Sequence, residues 1–164
     1  MPNVVGMGVV GAGSIGIRAA LMHLSLPDVQ DRVRLAAVCD PVPGRAAAAK
    51  ERYGVGAAYA SYEELLADPN VDAVTLCSPI GLHYGQALQA IAAGKHIHFN
   101  KTMTITKAEA DEVIARAQAK VVRGEEHGRQ VLPGLVVAYS LVRVNLALLT
   151  GIKPYQGKPD HKPD

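Results

Sequence analysis

The sequence predicts an α/β fold: a doubly wound, mostly parallel sheet with helices on both faces. Three observations predict it. Short apolar runs rich in β-branched residues alternate with alanine-rich stretches of helical spacing. The runs mostly lack strict polar alternation, as strands buried on both faces do. The first run also passes into the first helical stretch through a glycine-rich turn, Gly11 to Gly16.

In chain order, the first strand is VVGMGVV, Val4 to Val10, and the helix after the turn is expected over Ser14 to Leu24. VRLAAVC, Val33 to Cys39, is the second strand, with a helix over Gly44 to Tyr53. A short helix, Tyr62 to Leu66, is announced by Ser61 with Glu64 three residues on, a pair that can satisfy each other's free backbone amides as a capping box. DAVTLC, Asp72 to Cys77, reads as a strand and Leu82 to Ala93 as the helix that follows, closed by Gly94. HIHF, His96 to Phe99, is the next strand. Thr106 and Glu109 form a second capping box at the head of the longest helix, Lys107 to Arg123. The polar, glycine-rich segment Gly124 to Gly134 is expected to be a surface loop, before a last strand at LVVAY, Leu135 to Tyr139. Residues 1–150 make one domain. Residues 151–164 carry three prolines among charges and are expected to lack order from about Pro154.

Composition narrows the function. The 164 residues suit one domain with one core, 49% of them are apolar, and no repeat or zinc-ligand spacing occurs. A net charge of +2, with one Phe and no Trp, leaves neither a basic footprint nor stacking platforms for nucleic acid. No run approaches the roughly 20 apolar residues that span a bilayer, and no signal-peptide pattern opens the chain, so a cytoplasmic location is expected. Cys39 and Cys77 are read as reduced, buried and inert. His96 and His98 alternate on one strand face but have no third ligand at a sensible spacing, so no metal is expected.

Two overlapping G-x-G-x-x-G matches occur, GMGVVG from Gly6 and GAGSIG from Gly11. A phosphate-binding turn must follow a strand and open a helix, because the helix N-terminus supplies free amides and partial positive charge. Only the second register does so. Gly11 then makes the tight turn, Gly13 leaves room for a pyrophosphate, Ser14 and Ile15 offer amides, and Gly16 lets the helix pack closely on the strand. Asp40, at the end of the second strand, is placed to accept the ribose hydroxyls of an adenosine. Together these are the fingerprint of a Rossmann dinucleotide-binding domain. A carboxylate at Asp40 favours NAD, and Arg45 nearby could pair with a 2′-phosphate, which keeps NADP as the alternative.

Four blocks extend the signal: VGMGVVGAGSIGIRAALMHL, VRLAAVCDPVPGRAAAAKERYG, ASYEELLADPNVDAVTLCSP and GQALQAIAAGKHIHFNKTMTITKAEADEVIARA. Together they resemble the glucose-fructose oxidoreductase, inositol dehydrogenase and MocA (Gfo/Idh/MocA) family, collinearly over roughly the first 140 residues. The resemblance implies an N-terminal Rossmann domain joined to a C-terminal α+β domain that carries substrate residues. It places Ser78, Pro79 and His83 on a Thr-Pro-Asn block and histidine beside the nicotinamide, with Ile80 replacing the asparagine. It places Lys101 on the lysine of a Glu-Lys-Pro block, flanked here by Asn100 and Thr102 instead. A lysine at a strand's carboxyl end faces the ligand crevice, where its ammonium can polarise an oxygen at the hydride centre, so Lys101 is the catalytic candidate.

The function implied is hydride transfer between NAD(P) and a hydroxyl-bearing carbon of a sugar or polyol. The acid–base residues of such enzymes lie in the C-terminal domain, so this chain alone is expected to be catalytically incomplete unless a second domain or chain completes it. The rival expectation, from another class, is a non-enzymatic dinucleotide-sensing or partner-binding module.

Overall fold

The computed structural model describes residues 4–100, 102–122 and 136–138. Lys101, the loop at 124–134, the domain boundary at 150 and the tail lie outside the described residues.

Among the described residues, six parallel strands form one sheet: β1 (Val5–Val10), β2 (Val33–Cys39), β3 (Ala57–Tyr59), β4 (Ala73–Leu76), β5 (His96–Asn100) and β6 (Val136–Ala138), in the order β3-β2-β1-β4-β5-β6. The order reverses between β1 and β4. That reversal opens a crevice at the strands' carboxyl ends, the place where open α/β sheets bind ligands. The doubly wound α/β fold expected from the sequence is present.

Helices cover both faces. The first, α1, winds as π-type turns over Gly16–Leu21 and as an α-helix over Met22–Leu24. With α2 (Arg45–Tyr53) it packs on Val5, Met7, Val9, Leu35 and Val38. The opposite face carries α3 (Tyr62–Ala67), α4 (Ile80–Ala92) and α5 (Lys107–Val122), packed on Val10, Val74, Leu76, Ile97 and Phe99. All six residues of β1 are buried, which explains why its sequence shows no alternation.

Three details differ from expectation. The first helix is not α throughout: the winding widens at Gly16 and returns to α at Met22, and such widened segments recur at functional sites. Strand β3 carried no sequence signal, being three residues long and mostly alanine. The β1–β2 register slips between Met7 and Gly8, so Ala36 is an extra residue in β2. This bulge re-phases the strand: Val38 shares its face with Leu35, and Cys39 turns to the other side.

Both capping boxes form. Glu64 N donates to Ser61 Oγ at 3.2 Å while Ser61 N donates to Glu64 Oε2 at 3.1 Å. Thr106 and Glu109 repeat the arrangement at 3.2 and 3.0 Å. Gly94 adopts φ 76° after α4, as a left-handed helix-ending glycine does. Replacing Ser61→Ala removes one acceptor from an exposed helix start and is expected to cost about 1 kcal/mol. Thermal denaturation should show a fall of a few degrees that Ser61→Asp largely restores.

Among the described residues no helix is long and apolar enough to cross a membrane.

Candidate functional site

The glycine turn is built by close packing. Gly11 takes φ 95°, a left-handed conformation that side chains disfavour, and its amide continues the ladder by donating to Cys39 O at 2.8 Å. A Cβ on Gly16 would penetrate the Gly11 carbonyl oxygen, so helix and turn touch backbone to backbone. Around Gly13 a Cβ would meet nothing within 4 Å. Gly16 is therefore glycine because the fold fills its side-chain space, and Gly13 stands beside open space. The first helical bond runs from Ile17 N to Gly13 O at 2.9 Å. Ser14 and Ile15 open the helix, where backbone amides have no partner in the preceding turn, and Ser14 is exposed at its mouth.

The overlapping register has a different physical cause. Gly6 and Gly8 lie inside β1. A Cβ on Gly6 would penetrate Asn70 O, and one on Gly8 would come within 2.9 Å of Leu65 Cδ2. These two glycines serve the packing of α3 and its following turn.

Asp40 follows β2 and is 5% exposed. Its Oδ2 accepts from Ala12 N, inside the glycine turn, at 2.8 Å, and its Oδ1 accepts from Val42 N at 2.9 Å. The carboxylate thus ties the end of β2 to the turn after β1. A carboxylate has about four lone-pair sites, so acceptor capacity remains for hydroxyls. Arg45 Nη1 lies 3.5 Å from Oδ2, with its side chain 47% exposed.

On the other side of the crevice, Ser78 follows β4 and Pro79 caps α4. The Ser78 hydroxyl donates to Gln86 Oε1, one helix turn beyond His83. His83 is buried, with Nε2 2.9 Å from Ser78 O and Nδ1 3.0 Å from Thr102 O. Asn100, at the end of β5, donates from Nδ2 to Cys77 Sγ at 3.5 Å. Burial raises the pKa of Cys77, and burial pushes Cys39 up to about 12, so neither is a ready thiolate at neutral pH. His98 is paired through Nδ1 to Thr75 Oγ1 at 2.9 Å, and burial lowers its pKa and that of His96. Among the described residues no group of three metal-ligating side chains occurs.

The structure therefore brings Gly11, Gly13, Ser14, Ile15, Gly16 and Asp40 together on one side of the switch point, and Ser78, Pro79 and His83 on the other. Sequence reasoning did not single out Ala12, Gln86 or Thr102, which hold these residues. Two of the three act through backbone atoms, which no side chain announces.

A parallel sheet of order 3-2-1-4-5-6, with a glycine turn into a helix after its first strand and an acid after its second, defines a dinucleotide-binding domain. A profile described as oxidoreductase family, NAD-binding Rossmann fold matches residues 5–124, which include every candidate site residue. The chain belongs to this family, the Gfo/Idh/MocA oxidoreductases, and is their NAD(P)-binding domain. It is 34% identical to a myo-inositol 2-dehydrogenase of Thermotoga maritima over 108 residues, 66% of this chain and 31% of the relative. It is 32% identical to a D-glucoside 3-dehydrogenase of Escherichia coli over 126 residues, 76% of this chain and 35% of the relative. Among solved structures, a 3-ketoreductase from Actinomadura kijaniata in complex with NADP and TDP-benzene superposes with a TM-score of 0.67 at 30% identity, covering 72% of this chain and 35% of that one. The chain spans about a third of the length of the curated relatives it matches.

Proposed function

We infer that this domain serves an oxidoreductase that moves hydride between NAD and a hydroxyl-bearing carbon of a small sugar or polyol, with the substrate wall supplied by a second domain or chain. The observation that carries the reading is the open space at Gly13, within a closely packed Gly11–Gly16 turn whose Ala12 amide is held by the buried carboxylate of Asp40. The amides of Ser14 and Ile15 hold the pyrophosphate, and Gly13 admits it. Asp40 accepts from the adenosine ribose. Ser78 and Pro79, after β4, flank the half of the sheet that takes the second nucleotide, and Lys101, after β5, polarises the substrate oxygen. The bound cofactor supplies hydride acceptance, and the hydroxyl proton leaves to a base outside this domain. Two free cysteines suit a reducing, cytoplasmic setting.

The cofactor preference rests on two charges. A 2′-phosphate approaching Asp40 meets a carboxylate, which favours NAD, while the half-exposed Arg45 guanidinium offsets this. Asp40→Ala is expected to weaken NAD about tenfold or more while sparing NADP. Arg45→Ala is expected to weaken NADP more than NAD. Calorimetric titration of each variant with both cofactors tests the pair. An unchanged NAD-to-NADP ratio in both variants would remove Asp40 and Arg45 from the ribose site.

A further inference from the structure

His83 is the fourth residue of α4, 3% exposed, with its ring leaning on Phe99 at a centroid distance of 5.9 Å. Its two nitrogens reach carbonyl oxygens on two different crossover connections. Ser78 O belongs to the turn leaving β4, and Thr102 O to the turn leaving β5, one residue after Lys101. Both partners are acceptors, so the ring donates to one of them or, when it carries both N–H groups, to both. Burial obliges the ring N–H to find an acceptor, but a single partner would satisfy a neutral imidazole. Here each nitrogen reaches a carbonyl on a different connection, so the ring bridges the two. Gln86 on the same helix holds the Ser78 hydroxyl, so α4 grips Ser78 at two points and the β5 turn at one.

These turns form the carboxyl-end rim of β4 and β5, the half of a doubly wound sheet that receives the second mononucleotide of a bound dinucleotide. Both ring nitrogens are engaged inside the protein, which leaves a cofactor only what the backbone around them presents. We propose that His83 is a positioning residue: it fixes the turns bearing Ser78 and Thr102 relative to each other, and so sets the width of the nicotinamide end of the crevice without itself binding the cofactor. The inference rests on the cofactor-domain reading above.

The test compares NAD with ADP-ribose, which shares everything except the nicotinamide, on the full chain. His83→Phe keeps an aromatic ring against Phe99 and removes both nitrogens; His83→Gln retains an amide that can reach one carbonyl. For His83→Phe, ADP-ribose affinity is expected to stay within about twofold of the wild type, while the gain of NAD over ADP-ribose falls about fivefold or more. His83→Gln should restore part of that gain, which a merely structural role would not do. Should His83→Phe not fold, His83→Gln carries the same comparison with a smaller expected loss. Equal losses for both ligands, an unchanged NAD-to-ADP-ribose ratio, or a wild-type ratio of one would each overturn the positioning role while leaving the adenosine site standing. A wild-type chain that binds neither ligand overturns the cofactor reading and this inference with it.

Discussion

Gly16→Ala is expected to destabilise the domain by about 3 kcal/mol or more and to lower its melting midpoint by roughly 10 °C. The added Cβ would overlap the Gly11 carbonyl oxygen, lie 2.9 Å from its carbon, and sit 3.6 Å from Cys77 Cβ. The first two obstacles are backbone, and that backbone already holds φ 95° and a bond to Cys39 O. No flexible side chain can yield there, so the turn must move away from β2 or the helix must lift off β1. For a domain whose whole stability is typically about 5–15 kcal/mol, this is a large fraction. Circular dichroism melts of Gly16→Ala beside Gly13→Ala give the comparison, because the alanine at position 13 meets nothing within 4 Å. Equal melts for the two variants would mean that turn and helix do not make the contact described.

Gly13→Val should do the opposite. Its side chain enters empty space, so stability is expected to change by less than about 1 kcal/mol. That same space is where the pyrophosphate must come against the backbone, and a branched side chain blocks it. Loss of NAD affinity by about a hundredfold or more is expected, close to 3 kcal/mol of binding free energy. The two glycines thus separate what the fold needs from what the ligand needs: one substitution breaks the domain, the other leaves a folded domain that does not bind. A Gly13→Val chain that binds NAD as the wild type does would place the pyrophosphate elsewhere.

The parts of the fold legible in the sequence are those written in side chains. The β-branched runs of β1, β2, β4 and β5 lie within a residue or two of where they were expected, because full burial on both faces selects an unbroken apolar run. Ser61 with Glu64 and Thr106 with Glu109 announced their helix starts because the capping bonds are made by the side chains themselves. Strand β3 was not legible, since Ala57 and Ala58 have little strand preference and are held by the ladder to Ala37 and Val38. The bulge at Ala36 was equally silent: an extra alanine in a run of alanines changes no pattern.

The site divides the same way. The glycine turn and Asp40 were readable from spacing, yet the reason for two overlapping glycine registers was not. It lies in Asn70 and Leu65, some sixty residues on, which crowd Gly6 and Gly8. The bond from Ala12 N to Asp40 and the grip of His83 on Ser78 O and Thr102 O involve main-chain atoms, which almost any residue type, proline excepted for the N–H, could have supplied. His83 was expected beside the cofactor; its nitrogens are turned into the protein, which is why its effect is proposed to be indirect.

The most direct measurement is a calorimetric titration of the folded chain with NAD and NADP, Gly13→Val serving as the control. Saturable binding of one dinucleotide per chain, lost in Gly13→Val at unchanged melting midpoint, is the predicted result. A folded wild-type chain that binds neither dinucleotide, or a Gly13→Val chain that binds as the wild type does, would contradict the assignment of the turn after β1 as the pyrophosphate site.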